Sequence, residues 1–219
     1  MAAPLVKICC IKSATEARTA IAHGASALGL VSQMPSGPGV IDEALITGIA
    51  ASVPPTTDTF LLTALTETDA IIDQHRRCRT TTIQIVDALT RGTHRDLRRA
   101  LPGIKLVQVI HVRGDESSDE AAAVAPEVDF ILLDSGNPRL AVKELGGTGR
   151  THNWAVSRRI VETCGRPVFL AGGLRPANLA AAYAQVGPYG FDLCNSVRSN
   201  DVLDEAKRAA FFTAVRALT

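Results

Sequence analysis

The stretch Leu170-Ala171-Gly172-Gly173-Leu174 ends an apolar run that begins at Pro167, and a helical pattern follows from Pro176. A short apolar run bounded by turn residues is typical of a buried parallel strand, and proline suits the first turn of a helix. Parallel α/β proteins build their sites at the carboxyl ends of such strands. Three further stretches have a reactive residue or a glycine at the point where an apolar run ends and a loop begins. They are Lys7-Ile8-Cys9-Cys10, Leu132-Leu133-Asp134-Ser135, and Gly146-Gly147-Thr148-Gly149 with Trp154 after it.

Strand-like and helix-like patterns alternate along the whole chain. The predicted strands are Leu5–Cys9, Ala27–Val31, Thr59–Thr63, Thr82–Val86, Lys105–Val112, Val128–Leu133, Pro167–Ala171 and Phe191–Cys194. The predicted helices are Ala14–His23, Asp42–Ala51, Glu67–Arg77, Arg95–Leu101, Ser117–Ala125, Asn153–Thr163, Pro176–Val186 and Asp201–Leu218. Eight such units and no low-complexity linker predict one domain over residues 1–219 with an α/β fold, a (βα)8 TIM barrel. A doubly wound open sheet is the alternative.

Composition excludes several classes of function. The 219 residues carry a net charge of +1 and only 4% aromatics, which disfavours nucleic acid and membrane surfaces as partners. No signal peptide or membrane span is evident, so we expect a cytoplasmic protein. The five cysteines are odd in number and lack zinc-type spacing, which predicts reduced thiols. The five histidines show no metal spacing either, so we expect neither a metal nor a cofactor.

Cys9 is the first candidate for chemistry. On a strand over Leu5–Cys9, Lys7 and Cys9 share a face, and the lysine charge favours the thiolate. A thiol with a lowered pKa can act as a base or a nucleophile. The competing interpretation is a small buried apolar residue. On the same strand, the adjacent Cys10 is expected to point to the opposite face.

Asp134 ends an apolar strand and shares a face with Leu132. A carboxyl group at the mouth of a barrel can act as a general acid, although Asp134-Ser135-Gly136-Asn137-Pro138 also reads as an ordinary turn. After the seventh and eighth strands come Gly172-Gly173 and Asn195-Ser196, where barrels commonly bind phosphate through backbone N–H groups. A tight turn without a ligand is the alternative. The glycine-dense segment that contains Gly147 is a candidate for a mobile loop over the site.

Together these stretches resemble the phosphoribosylanthranilate isomerase family of tryptophan biosynthesis, over nearly the whole chain. The family is a (βα)8 barrel that converts an N-glycosidic aminoribose phosphate into an aminoketose without metal or cofactor. The resemblance implies that Cys9 is the general base, which removes the proton from sugar carbon 2, and that Asp134 is the general acid on the ring oxygen. It also implies substrate binding by Lys7, Gln84, Gly147 and Asp192, and phosphate binding by Gly172, Gly173, Asn195 and Ser196.

The chain departs from the family pattern mainly where the aglycone would bind. The family has glycine at Cys10, the arginine that grips the anthranilate carboxylate at Gly39, and histidine at Val86. It has Phe-Asp-Trp at His152-Asn153-Trp154 and Ser-Ser-Gly-Val-Glu at Asn195-Ser196-Val197-Arg198. We therefore predict that sugar-phosphate chemistry is retained and that a different aglycone is accepted. Arg198 is a candidate to supply the lost positive charge or to strengthen phosphate binding.

Three functions remain open from the sequence. The first is isomerisation of a small phosphorylated sugar-amine, and the second is a non-catalytic barrel that binds another phosphorylated metabolite. The third is an enzyme that uses Cys9 as a covalent nucleophile. The apolar residues of the last helix predict core packing against the barrel, and the oligomeric state is expected to be monomer or homodimer.

Overall fold

The computed structural model describes residues 3–218, and the termini of the predicted 1–219 domain lie outside that range. Eight parallel strands close into a barrel in chain order: β1 Leu5–Ile8, β2 Ala27–Val31, β3 Asp58–Thr63, β4 Thr82–Ile85, β5 Lys105–His111, β6 Phe130–Asp134, β7 Val168–Leu170 and β8 Gly190–Leu193. Eight helices follow them: α1 Ala14–Ala22, α2 Glu43–Ser52, α3 Thr68–Cys78, α4 His94–Ala100, α5 Glu116–Val124, α6 Trp154–Thr163, α7 Pro176–Val186 and α8 Glu205–Arg216. The predicted (βα)8 barrel is confirmed, and the open sheet is not formed.

Side chains alternate between two apolar clusters along each strand. On β6, Ile131 and Leu133 pack outward against the helices, whereas Leu132 packs inside the barrel. On β1, Val6 and Ile8 belong to the outer cluster. The period of two therefore leaves Lys7 and Asp134 on the faces that point into the barrel.

Aromatic rings fill the amino-terminal end of the barrel interior. The ring of Phe169 lies 6.1 Å from Phe60, 5.7 Å from Phe130 and 5.6 Å from Tyr189, measured between centroids. Phe130 begins β6 and Tyr189 directly precedes β8, so this cluster closes the barrel at that end. Open space is left at the opposite end, where the strands finish.

The predicted helix Asp201–Leu218 begins too early. Arg198–Ser199 (β9) and Val202–Leu203 (β10) form a short antiparallel pair instead. Asn200 and Asp201 have φ of 48° and 62°, which is the geometry of a two-residue hairpin turn. The helix starts only after Asp204, whose side chain accepts a hydrogen bond from the Lys207 N–H at 3.0 Å.

The last helix packs as the sequence predicts. Phe211, Phe212 and Val215 are buried against the barrel and the neighbouring helices. At the other end of the chain, Ser13 and Glu16 form only half of a capping box at the start of α1. Ser13 Oγ accepts a hydrogen bond from the Glu16 N–H, but the Glu16 carboxylate accepts from the Lys12 N–H and pairs with Arg198.

Candidate active site

A cavity of about 500 Å³ opens at the carboxyl ends of the strands. The predicted site residues come from five different strand ends, and most of them meet in its wall. Those that line it are Cys9, Gln84, Asp134, Gly147, Gly172, Gly173, Asp192, Asn195 and Ser196. Lys7 and Arg198 do not line it. Apart from Gln84 and Ser36, the wall between β2 and β6 is apolar and is formed by Met34, Pro38, Leu62, Val86, Val109, Leu132 and Leu145.

Cys9 lies one residue beyond the end of β1. Its N–H still donates to the Leu193 carbonyl at 2.7 Å, which holds the residue in line with the strand. The thiol is buried, yet its pKa is lowered, chiefly because the Cys10 side chain donates a hydrogen bond to the sulfur. Burial opposes this effect, and the Lys7 ammonium adds to it. The predicted influence of Lys7 is therefore present, but Cys10 contributes more.

Lys7 is fully buried inside the barrel beneath the cavity. Its Nζ lies 2.8 Å from Asp192 Oδ2 and 5.3 Å from the centroid of the Phe60 ring. Burial disfavours the ammonium, but attraction to Asp192 and Cys9 outweighs it and the lysine pKa is raised. Lys7 therefore stays charged and acts on the cavity through its neighbours.

Two buried acceptors in the cavity wall have no hydrogen-bond partner among residues 3–218. They are Gln84 Oε1 on β4 and Asp192 Oδ1 on β8. An unpaired buried acceptor is costly, by about 1–3 kcal/mol. Both oxygens are thus placed to accept hydrogen bonds from the hydroxyls of a bound molecule.

Asp134 ends β6 and is buried, with 7% of the residue exposed. Its Oδ1 accepts a hydrogen bond from the Ser135 N–H at 2.7 Å. The glycine-rich loop passes directly over it, since a Cβ added to Gly146 would lie 3.0 Å from Oδ2. The carboxyl group is therefore shielded from bulk water.

Gly172 and Gly173 adopt φ of 80° and 61° after β7. A Cβ on Gly173 would lie 2.7 Å from the Thr151 N, and one on Gly172 would lie 2.9 Å from the Arg150 carbonyl oxygen. Glycine is therefore needed here for close packing against the segment after the glycine-rich loop. On the other side stands the first turn of α7, which begins at Pro176, and the amino-terminal end of a helix favours an anion.

Two cations in the cavity wall were not predicted from the sequence. Arg175 precedes α7 and Lys207 lies in the first turns of α8, and both are exposed. Lys207 Nζ also donates to the Arg198 carbonyl at 2.6 Å. Arg175 could have been predicted from the sequence, because it follows Gly172-Gly173 closely. Lys207 could not, because only the fold brings it to the cavity.

The glycine-rich loop covers one side of the cavity. The Gly147 carbonyl accepts from Asn195 Nδ2 at 3.1 Å, and the Ser135 and Thr148 hydroxyls lie 2.6 Å apart. A Cβ on Gly147 would lie 2.6 Å from the Pro38 ring. The loop thus contacts the segments that follow β2, β6 and β8, and its proposed mobility stays a prediction.

Arg198 is turned away from the cavity. Its guanidinium pairs with Glu16 at 3.0 Å and also donates to the carbonyl oxygens of Asp201 and Cys10. The side chain is 3% exposed. These contacts make it a structural link between α1, β1 and the hairpin, and they do not support the expected role as a replacement cation or phosphate ligand.

Cys10 adopts a φ of 63°, a left-handed conformation that glycine adopts without strain. Because the chain leaves the strand at Ile8, both Cys9 and Cys10 line the cavity, and the expectation that they point to opposite faces is wrong. A Cβ on Gly39 would lie 2.4 Å from the Cys10 Cβ. A cysteine at position 10 and a side chain at position 39 therefore exclude each other in this backbone.

His152 does not line the cavity but lies beside Gly172, since a Cβ added to Gly172 would lie 3.2 Å from its Nδ1. Both ring nitrogens are buried and have no hydrogen-bond partner in the part of the chain that the structure describes. Burial lowers the pKa of the imidazole to about 4, although Asp134 opposes this. It is therefore neutral at pH 7. Among the residues from 3 to 218, no group of three or more His, Cys, Asp or Glu side chains is arranged to hold a metal ion.

The fold and the site define a (βα)8-barrel enzyme with a thiol, a carboxyl group and glycine turns at the mouth of the barrel. The family model for N-(5′-phosphoribosyl)anthranilate isomerase matches residues 6–214. The chain belongs to this family.

Relatives and solved structures agree with this assignment. An N-(5′-phosphoribosyl)anthranilate isomerase from Methanosarcina mazei is 34% identical over 92% of this chain and 89% of its own length. The phosphoribosyl anthranilate isomerase from Thermotoga maritima superposes with a TM-score of 0.79 at 24% identity, over 98% of this chain and 100% of that one. Another isomerase was solved with reduced 1-(o-carboxyphenylamino)-1-deoxyribulose 5-phosphate and has a TM-score of 0.77 at 21% identity, over 98% of this chain and 100% of that one. Within the described residues, no helix is long and apolar enough to cross a membrane.

Proposed function

We propose that this isomerase performs the Amadori rearrangement of an N-(5-phosphoribosyl) amine, with Asp134 as general acid and Cys9 as general base. Asp134 protonates the ring oxygen as the bond to carbon 1 breaks, which leaves an iminium. Cys9 then removes the proton from carbon 2, and the resulting enolamine becomes the ketone. The observation that supports this is the placement of a thiol with a lowered pKa and a water-shielded carboxyl group in one cavity.

The remaining contacts fit the rest of such a substrate. Gln84 Oε1 and Asp192 Oδ1 are unpaired acceptors for sugar hydroxyls. The phosphate fits the end of the cavity formed by Gly172-Gly173 and Asn195-Ser196, with Arg175 close by. The apolar wall between β2 and β6 suits the aglycone ring.

Substitutions test the two catalytic roles. General acid or base catalysis contributes about 10²–10⁴-fold, so Cys9→Ala and Asp134→Asn should each lower kcat by at least about 100-fold. Turnover of freshly prepared phosphoribosylanthranilate is followed by its fluorescence, and Cys164→Ser, at a half-buried cysteine outside the cavity, is the control. Folding of each variant is verified by circular dichroism. Full activity in folded Cys9→Ala would contradict the proposal.

The aglycone end of the cavity has no cation at position 39. Gly39 cannot carry a side chain while Cys10 is present, and the wall around it is apolar. We therefore propose that the enzyme does not depend on a carboxylate on the aglycone. Binding free energy falls by several kcal/mol when one partner of a buried charge pair is missing. A site without a cation at position 39 has no such pair to lose when the aglycone lacks a carboxylate.

Two substrates that differ only in the carboxylate test this proposal. Condensation of ribose 5-phosphate with anthranilate or with aniline supplies both, and products are quantified by mass spectrometry. We expect kcat/KM for the two to agree within about tenfold, the equivalent of about 1.4 kcal/mol. A preference for the anthranilate compound above about 100-fold would show that another group pairs the carboxylate.

The cytoplasmic location and the oligomeric state stay predictions. Size-exclusion chromatography with light scattering separates the monomer from the homodimer directly.

A further inference from the structure

Three thiols meet at one edge of the cavity, where β1 and β8 close the barrel. Cys9 and Cys10 follow β1, and Cys194 follows β8, whose Leu193 is paired with Ile8. The Cys10 and Cys194 sulfurs lie 2.8 Å apart. A disulfide bond is about 2.05 Å long, so less than an ångström of closure separates the two sulfurs from a bond.

The backbone is arranged to bring the Cys10 sulfur to this position. The left-handed φ of 63° turns the side chain toward β8, and the missing Cβ of Gly39 leaves room for it. A Cβ on Gly39 would lie 2.8 Å from the Cys10 sulfur. Cys10 is 3% exposed, whereas Cys194 is half-buried and open to the cavity. A small oxidant therefore has access to one member of the pair.

We propose that Cys10 and Cys194 form a reversible disulfide when the protein meets a low-molecular-weight disulfide such as glutathione disulfide. The Cys194 thiolate attacks one glutathione sulfur, forms a mixed disulfide and releases one glutathione thiolate. Cys10 loses its proton and attacks the Cys194 sulfur, which forms the protein disulfide and releases the second glutathione. Two protein thiols are thus oxidised and one glutathione disulfide is reduced to two glutathiones.

The bond would change the reactivity of Cys9. The hydrogen bond from the Cys10 side chain is the largest cause of the lowered Cys9 pKa, and a disulfide removes that donor. The Cys9 pKa then rises and the thiolate fraction at neutral pH falls. This consequence rests on the proposed role of Cys9 as base, whereas the formation of the disulfide does not.

The chemical test uses the intact protein with and without glutathione disulfide. Titration with dithionitrobenzoate after denaturation should find five thiols in the reduced protein and two fewer after oxidation. Trypsin leaves Cys164 and Cys194 in one peptide, residues 160–198, so the bond is mapped in Cys164→Ser. Cys9 and Cys10 share residues 8–12, so Cys9→Ala identifies which of them is linked. We expect the link in both of these variants and its absence in Cys194→Ser.

The kinetic test compares each protein with its own reduced form. In Cys164→Ser, oxidation should lower kcat/KM and move its rise with pH to higher pH, and dithiothreitol should reverse both effects. The oxidised-to-reduced ratio should stay near one in Cys194→Ser. A link that includes Cys9, a mixed disulfide that stops at Cys194, or five thiols after oxidation would overturn the proposal. A Cys10–Cys194 link in a protein without isomerase activity would refute the proposed function and leave the disulfide standing.

Discussion

The Cys10 side chain occupies space that only a glycine at position 39 leaves free. The competition for this space can be measured as a coupling between the effects of substitutions at positions 10 and 39 on the free energy of unfolding. A Cβ added at Gly39 would lie 2.4 Å from the Cys10 Cβ and 2.9 Å from its Cα. Gly39 also has a φ of +83°, which costs an ordinary residue about 1–2 kcal/mol. Overpacking adds about 1–3 kcal/mol. We expect Gly39→Ala to lower the free energy of unfolding by about 2–5 kcal/mol.

A matched control separates the two contributions. Gly103 has the same φ of +83° but would place a Cβ with nothing within 4 Å. Gly103→Ala should therefore cost only the backbone penalty of about 1–2 kcal/mol. Cys10→Gly removes the clashing Cβ and sulfur and leaves only the Cα at 2.9 Å, so in that background Gly39→Ala should cost less than in the wild type and approach the cost of the control. The coupling between positions 10 and 39 should then be about 1–3 kcal/mol.

The assay is urea unfolding followed by circular dichroism on wild type, the two single variants and the double variant, with Gly103→Ala alongside. Equal m-values indicate that the compactness of the denatured state is unchanged and that the four free energies form a valid cycle. Effects that add within about 0.5 kcal/mol would refute the reasoning. Positions 10 and 39 would then not compete for the same space.

The remaining predictions concern titration, the buried ion pair and the phosphate turn. Cys10→Ala should move the rise of kcat/KM with pH to higher pH, because Cys9 loses the hydrogen bond that lowers its pKa; an unchanged pH profile would contradict this. Arg198→Met should lower the free energy of unfolding by about 3–5 kcal/mol, because it leaves the largely buried Glu16 carboxylate without its charge partner, with KM changed less than about twofold. Although burial raises the pKa of Glu16, Arg198 holds this pKa below its usual value. The loss of stability in Arg198→Met should therefore be complete above about pH 4.3 and should shrink as the pH falls. Thermal unfolding measured at a series of acidic pH values would show this. Gly173→Ala should raise KM for the phosphorylated substrate, since its Cβ would meet the Thr151 N, and steady-state kinetics with unchanged KM would count against this packing.

The barrel was predictable because each strand is a short apolar run whose end is marked by glycine, proline or a polar residue. Alternation also correctly placed Asp134 on the same face as Leu132, and the structure shows that this face points into the barrel. The β9–β10 hairpin was missed because Asp201 was read as the start of a helix, although Asn200 and Asp201 both tolerate positive φ. A local pattern identifies an element more reliably than it identifies where the element begins.

The errors in the site have a different physical origin, which is contact between segments distant in sequence. Arg198 was expected to face a ligand, but its partner Glu16 lies 182 residues away in α1. The direction of the Cys10 side chain was wrongly predicted because the rule of alternating faces was applied two residues beyond the end of β1. The glycine that the family carries at this position was the available signal, since such a glycine often indicates positive φ.

A single residue, Cys10, links three properties of this site that are separate in principle. Its Cβ excludes a side chain at position 39, its side chain donates to Cys9, and its sulfur lies against Cys194. Replacing Cys10 by glycine should therefore open the aglycone wall, raise the Cys9 pKa and abolish the disulfide together. If only one of these changed, the other properties would have causes elsewhere in the barrel. Cysteine at position 10 therefore has two opposing effects on catalysis: it removes a possible contact between position 39 and the aglycone, and it lowers the pKa of the Cys9 thiol.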